Sequence, residues 1–134
     1  MGGTQARRDF EPHPDSVGLS RAFLGDLLAL WEADELHEVA GLLTTELVAN
    51  VVRHAVTTAN VHVTWEDPTL RVEVRDGSAQ LPTVRGPSLE RDGGRGLLIV
   101  ANLARDWGVR VEESGKAVWF TVDRHDGSDY SAGS

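Results

Sequence analysis

The sequence predicts an α+β fold, a two-layer sandwich with helices on one face of a mixed, mainly antiparallel sheet. Two observations carry this. Apolar residues recur at helical spacing as far as His54, and the period then drops to two. The elements follow the order two helices, a hairpin, a loop with a helix, and a second hairpin, with no βαβ unit.

The elements follow in order. Residues 1–15 are polar, with Pro12 and Pro14 around His13, and read as a flexible arm or an edge strand near Arg8–Glu11. Ser16 is placed to cap a helix over Val17–Trp31, where Val17, Ala22, Phe23, Leu27, Leu30 and Trp31 share a helical period. A second helix is expected from Asp34 to His54, with Leu36, Ala40, Leu43, Leu47 and Val51 as its apolar stripe. Val61, Val63 and Trp65 then alternate with polar residues, as do Leu70, Val72 and Val74, and Asp67-Pro68-Thr69 joins the two runs as a hairpin. Gly77 to Gly94 is a long loop rich in Gly, Pro and Ser. Gly96–Arg105 returns to helix. Trp107–Glu112 and Ala117–Val122 make the second hairpin, with Trp107 and Trp119 expected in the core. The folded domain is therefore expected over 16–123, with a disordered tail over 124–134.

Composition narrows the function. The chain has 134 residues, 13 Lys+Arg against 21 Asp+Glu, a formal net charge of -8 and no cysteine. Disulfides, thiolate metal sites and a cysteine nucleophile are excluded. The acidic balance disfavours direct nucleic-acid binding and binding to an anionic membrane. No run approaches the roughly 20 apolar residues of a membrane span, and the start lacks a signal-peptide pattern. The expectation is a cytoplasmic domain.

Polar residues interrupt the apolar stripe of the second helix. At about 100° per residue, with Glu46 set at zero, Asn50 falls near about 40° and His54 near about 80°, among the leucines. Glu46, Asn50 and His54 thus stack on the face that should meet the core. Such groups need partners when buried. Either they bond nearby backbone, or they line a pocket in which a carboxylate acts as a base and an amide oxygen ligates Mg²⁺. Two glycine-punctuated segments follow. Val74-Arg75-Asp76-Gly77-Ser78 ends a strand on a carboxylate, either in an ordinary Asp-Gly turn or facing the same cavity. Arg91-Asp92-Gly93-Gly94-Arg95-Gly96-Leu97 opens a helix, where close backbone N–H groups suit a phosphate.

Taken together, these segments resemble a known family. Glu46-Leu47-Val48-Ala49-Asn50-Val51-Val52-Arg53-His54-Ala55 looks like the N box of the superfamily shared by gyrase, heat-shock chaperone, histidine-kinase and mismatch-repair ATPases. Val74–Ser78 resembles its first glycine box and Gly93–Leu97 its second. Within it, chain size, His54-Ala55, Asp106-Trp107-Gly108-Val109 and Gly115-Lys116-Ala117-Val118-Trp119 look like the small anti-sigma-factor serine/threonine kinases of the RsbW type.

The resemblance implies the histidine-kinase-like, or Bergerat, ATP-binding fold, with ATP and Mg²⁺ as ligands. Asn50 would ligate Mg²⁺, and Glu46 would be the catalytic base or water-positioner. Asp76, with Gly77, would receive the adenine amino group. Gly94, Arg95, Gly96 and Leu97 would hold the phosphates under a lid over 78–92. Ser78 stands where the family's first glycine box carries its glycine. The implied partners are a sigma factor and an anti-sigma-factor antagonist, with a homodimer as the implied assembly. Three functions stay open: a serine/threonine protein kinase that also holds a sigma factor inactive, a nucleotide-gated module that sequesters a partner without catalysis, and a structural or interaction domain in which Glu46, Asn50 and His54 are hydrogen-bonded core groups.

Overall fold

The computed structural model describes residues 4–78 and 94–124. The expected lid beyond Ser78 and the expected tail beyond Arg124 lie outside the described residues. Strand β1 (Thr4–Phe10) leads to helix α1 (Asp15–Leu30) and, after a 3₁₀ turn at Asp34–Leu36, helix α2 (His37–Asn50). Strands β2 (Ala59–Glu66) and β3 (Thr69–Asp76) follow, then helix α3 (Gly94–Leu103) and strands β4 (Asp106–Glu112) and β5 (Gly115–Asp123). The sheet order is β1-β2-β3-β5-β4, antiparallel at every junction.

Alternation sorts the sheet into two faces. Val61, Val63, Leu70, Val72, Val74 and Phe120 are buried with Leu24 and Leu28 of α1, Leu43, Leu47 and Val48 of α2, and Val100 of α3. This is the expected sandwich, and Asp76 lies on the β3 face that carries Leu70, Val72 and Val74. Arg71, Glu73 and Arg75 take the other face.

Three details depart from the sequence reading. Helix α1 starts at Asp15, so Ser16 is not its cap; Ser16 is buried in the first turn and its Oγ donates to the Glu11 carbonyl at 2.6 Å. The expected second helix is not uniform. It ends in a π-helical turn over Val51–Ala55, closed by Val56 at φ 53°. A π turn takes more residues per turn than 3.6, so the 100° step stops holding past Asn50. His54 consequently lies exposed rather than on the core-facing stripe. Trp107 and Trp119 also part company. Trp107 packs against the core, whereas Trp119, opposite Glu73 in the ladder, lies on the outer face under the Arg71 guanidinium, 4.4 Å from its ring centre. Its ring fills the space above Gly108, where a Cβ would come within 2.8 Å of it.

Candidate functional site

The last turn of α2 supplies the first part of the site. Ala40, Leu43, Leu47 and Val48 bury the helix against the core, which fixes its rotation. Glu46 and Asn50 come out half-buried on that helix, one turn apart. The Asn50 Oδ1 oxygen is itself buried and has no hydrogen-bond partner among the described residues. Glu46 makes no hydrogen bond or ion pair among the described residues.

The end of β3 supplies the second part. Asp76 is 8% exposed. Its Oδ1 accepts the Ser78 backbone N–H at 2.8 Å and a hydrogen bond from Lys116 Nζ at 3.0 Å. Lys116 Nζ also lies 3.0 Å from Asp76 Oδ2, and Lys116 is 7% exposed. The strand register causes this pairing, because Asp76 stands directly opposite Lys116 between β3 and β5. Gly115 permits it. At φ +152° it lies against the Asp76 backbone, and a Cβ there would sit 2.0 Å from the Asp76 carbonyl oxygen.

The two parts are tied together at their ends. Beyond the π turn, Thr57 Oγ1 accepts the Gly77 backbone N–H at 3.0 Å. The exit of α2 therefore meets the exit of β3. Helix α3 opens at Gly94, so Gly94, Arg95, Gly96 and Leu97 form its first turn, and the backbone N–H groups of Gly94, Arg95 and Gly96 have no intrahelical acceptor.

Thr57, Gly115 and Lys116 are the site residues that sequence reading missed. Lys116 is forty positions from Asp76 in the chain, and only the strand register joins them. The available signal was the second hairpin's own alternation, which puts Lys116 on the same face as Val118 and Phe120.

A histidine kinase-like ATPase domain model matches residues 10–122. The chain belongs to the histidine kinase-like ATPase family. It is similar in fold to the crystal structure of the RsbU and RsbW domains of Rv1364c from Mycobacterium tuberculosis, with a TM-score of 0.69 at 19% identity over 90% of this chain. The chain spans 32% of the length of that structure. No curated protein matches it.

In a histidine kinase-like ATPase domain the donor set just described fits a hard cation carried with phosphates. An unpartnered buried amide oxygen is the kind of ligand Mg²⁺ accepts alongside phosphate oxygens and water. Among the described residues no helix is long and apolar enough to cross a membrane.

The outer face of the sheet holds a second buried carboxylate. Glu73 is 6% exposed and ion-paired with Arg71 at 3.1 Å, Arg75 at 3.1 Å and Arg110 at 2.9 Å. Glu112 extends the cluster by pairing with both Arg75 and Arg110. Burial works to raise the Glu73 pKa, but hydrogen bonds from Arg110 and Arg71 and the charges of Arg110 and Arg75 outweigh it and hold the carboxyl below its ordinary value.

Proposed function

We propose that the chain is an ATP-binding regulator, an anti-sigma factor with serine/threonine protein kinase activity toward an anti-sigma-factor antagonist. One observation carries the reading most: among the described residues, a buried Asn50 oxygen without a hydrogen-bond partner sits one helical turn from a Glu46 without an ion pair. A buried polar oxygen without a partner is a standing cost unless a ligand supplies one. Asn50 ligates Mg²⁺, and Asp76 beside Gly77 receives the adenine amino group. Gly94, Arg95, Gly96 and Leu97 hold the phosphates through the α3 N-terminus. Mg-ATP, when bound, supplies the phosphoryl group and neutralises charge during its transfer. Glu46 accepts the proton of the attacking serine or threonine hydroxyl at its carboxylate. The fold shared with a structure that contains an RsbW domain agrees with a regulatory role; the sigma factor, the antagonist and a homodimer rest on the sequence resemblance.

A second reading, a nucleotide-gated binding module without catalysis, is favoured by the side chain of Ser78 standing where the family pattern carries glycine, two residues from Asp76. Incubation with labelled ATP, Mg²⁺ and candidate antagonist proteins decides between the two. Label on an antagonist serine or threonine is the expected result. Bound ATP with no transfer to any candidate leaves the binding module standing, and failure to bind ATP overturns both.

A further inference from the structure

The Asp76–Lys116 pair has one unused acceptor and one unused donor side by side. Asp76 Oδ1 already accepts from Ser78 N–H and Lys116 Nζ, which fills its two lone pairs. Among the described residues Oδ2 faces only Lys116. The ammonium has three N–H donors, of which the carboxylate takes at most two. Among the described residues Lys116 meets no other acceptor. Burial makes that third donor costly to leave unmade, and Gly115, which has no Cβ, lets the start of β5 lie close against the Asp76 backbone and so holds Lys116 beside the carboxylate.

We propose that Lys116 is a base-specificity residue: it donates to a ring nitrogen of the nucleotide while Asp76 Oδ2 accepts from the adjacent exocyclic amino group. The edge that matches is the 6-amino group and N1 of adenine. This rests on the nucleotide reading of the same site, but it assigns the ring contact to a residue outside the three glycine and asparagine boxes. Guanine offers the opposite order, a carbonyl oxygen at position 6 and N–H at position 1, and is disfavoured if the carboxylate and ammonium keep these places.

Calorimetric titration of the full chain with ATP, 1-deaza-ATP (N1 replaced by CH) and GTP, each with Mg²⁺, tests the assignment. The wild type is expected to bind ATP about tenfold or more tighter than 1-deaza-ATP, as a lost hydrogen bond to a charged donor requires. Lys116→Met should bind the two within about twofold of each other. Should Lys116→Met fail to fold, Lys116→Arg keeps a charged donor and should keep the ATP preference. Three results overturn the proposal: equal wild-type affinity for ATP and 1-deaza-ATP, GTP bound as tightly as ATP, or an undiminished ratio in folded Lys116→Met. Each of these leaves nucleotide binding intact. A wild type that binds none of the three overturns the site reading and this inference with it.

Discussion

Strand β3 buries two carboxylates three positions apart, and they live in opposite circumstances. Glu73 faces away from the helices and is enclosed by Arg71, Arg75 and Arg110. Asp76 faces the helices and, among the described residues, meets a single cation, Lys116. The outer carboxylate has more positive charge around it than it can use, so it is finished as a structural unit. The inner one has spare capacity where the exits of β3 and α2 meet. Burial alone therefore does not mark a functional acid; incomplete satisfaction at a convergence of element ends does.

The largest expected effect falls on the inner side. Gly115→Ala drives a Cβ to 2.0 Å from the Asp76 carbonyl oxygen. Because the clash is with backbone, the hairpin must shift, at about 3 kcal/mol or more of stability. Nucleotide affinity should fall as well, because Lys116 moves with Gly115. Urea denaturation and an ATP titration read the two losses, and an Ala variant as stable as the wild type breaks the account of how Asp76 is held.

Glu73→Ala comes next. It leaves three arginines facing one another, and since those are partly exposed the cost should be about 2 kcal/mol, under the full penalty of a broken buried pair. ATP affinity should stay within about twofold of the wild type, a shift under half a kcal/mol. A large affinity loss without unfolding would erase the difference between the two faces.

Asn50→Ala should do the reverse. It removes an oxygen that has no partner, so stability should hold or rise by up to about 1 kcal/mol. Mg-ATP affinity should drop about tenfold, the loss expected for one charge-assisted contact. A plain stability loss with unchanged Mg-ATP affinity would return Asn50 to the role of a core amide.

The smallest effect is in pH. The folded Glu73 carboxyl lies below its ordinary value of 4.5, so the folded state holds that proton less readily than the unfolded chain. Its contribution is fully present above that value and is lost as the pH falls through the folded pKa. Unfolding midpoints of wild type and Glu73→Gln, compared from about pH 6 to about pH 3.5, should therefore converge on acidification. A gap that widens instead would reverse the sign.

What sequence made legible follows from range. The helical stripe of Leu43 and Leu47 and the alternation of Val61, Val63 and Trp65 are local patterns, and they gave the layers. Glu46, Asn50 and Asp76 were readable because each is polar where a local pattern demands otherwise, or sits at a strand end. His54 was misplaced because no local signal marks a π turn, and one altered turn shifts all later positions around the axis. Glu73 looked like any outward polar residue, since alternation fixes its face but not its neighbours. Lys116 and Arg110 reach their partners only through strand register, and Trp119 reads as a core residue on its apolar ring although the alternation with Val118 and Phe120 puts it on the outer face.

The hydrogen bond from Gly77 to Thr57 has a mechanical consequence. It pins two chain ends to a common post, with the amide oxygen of Asn50 upstream of one and the carboxylate of Asp76 upstream of the other. The spacing between the contacts proposed for the metal and for the base is then set by a threonine that belongs to neither. Lengthening or removing that tether, as in Thr57→Val, would let the two grips drift apart with every group in each still intact.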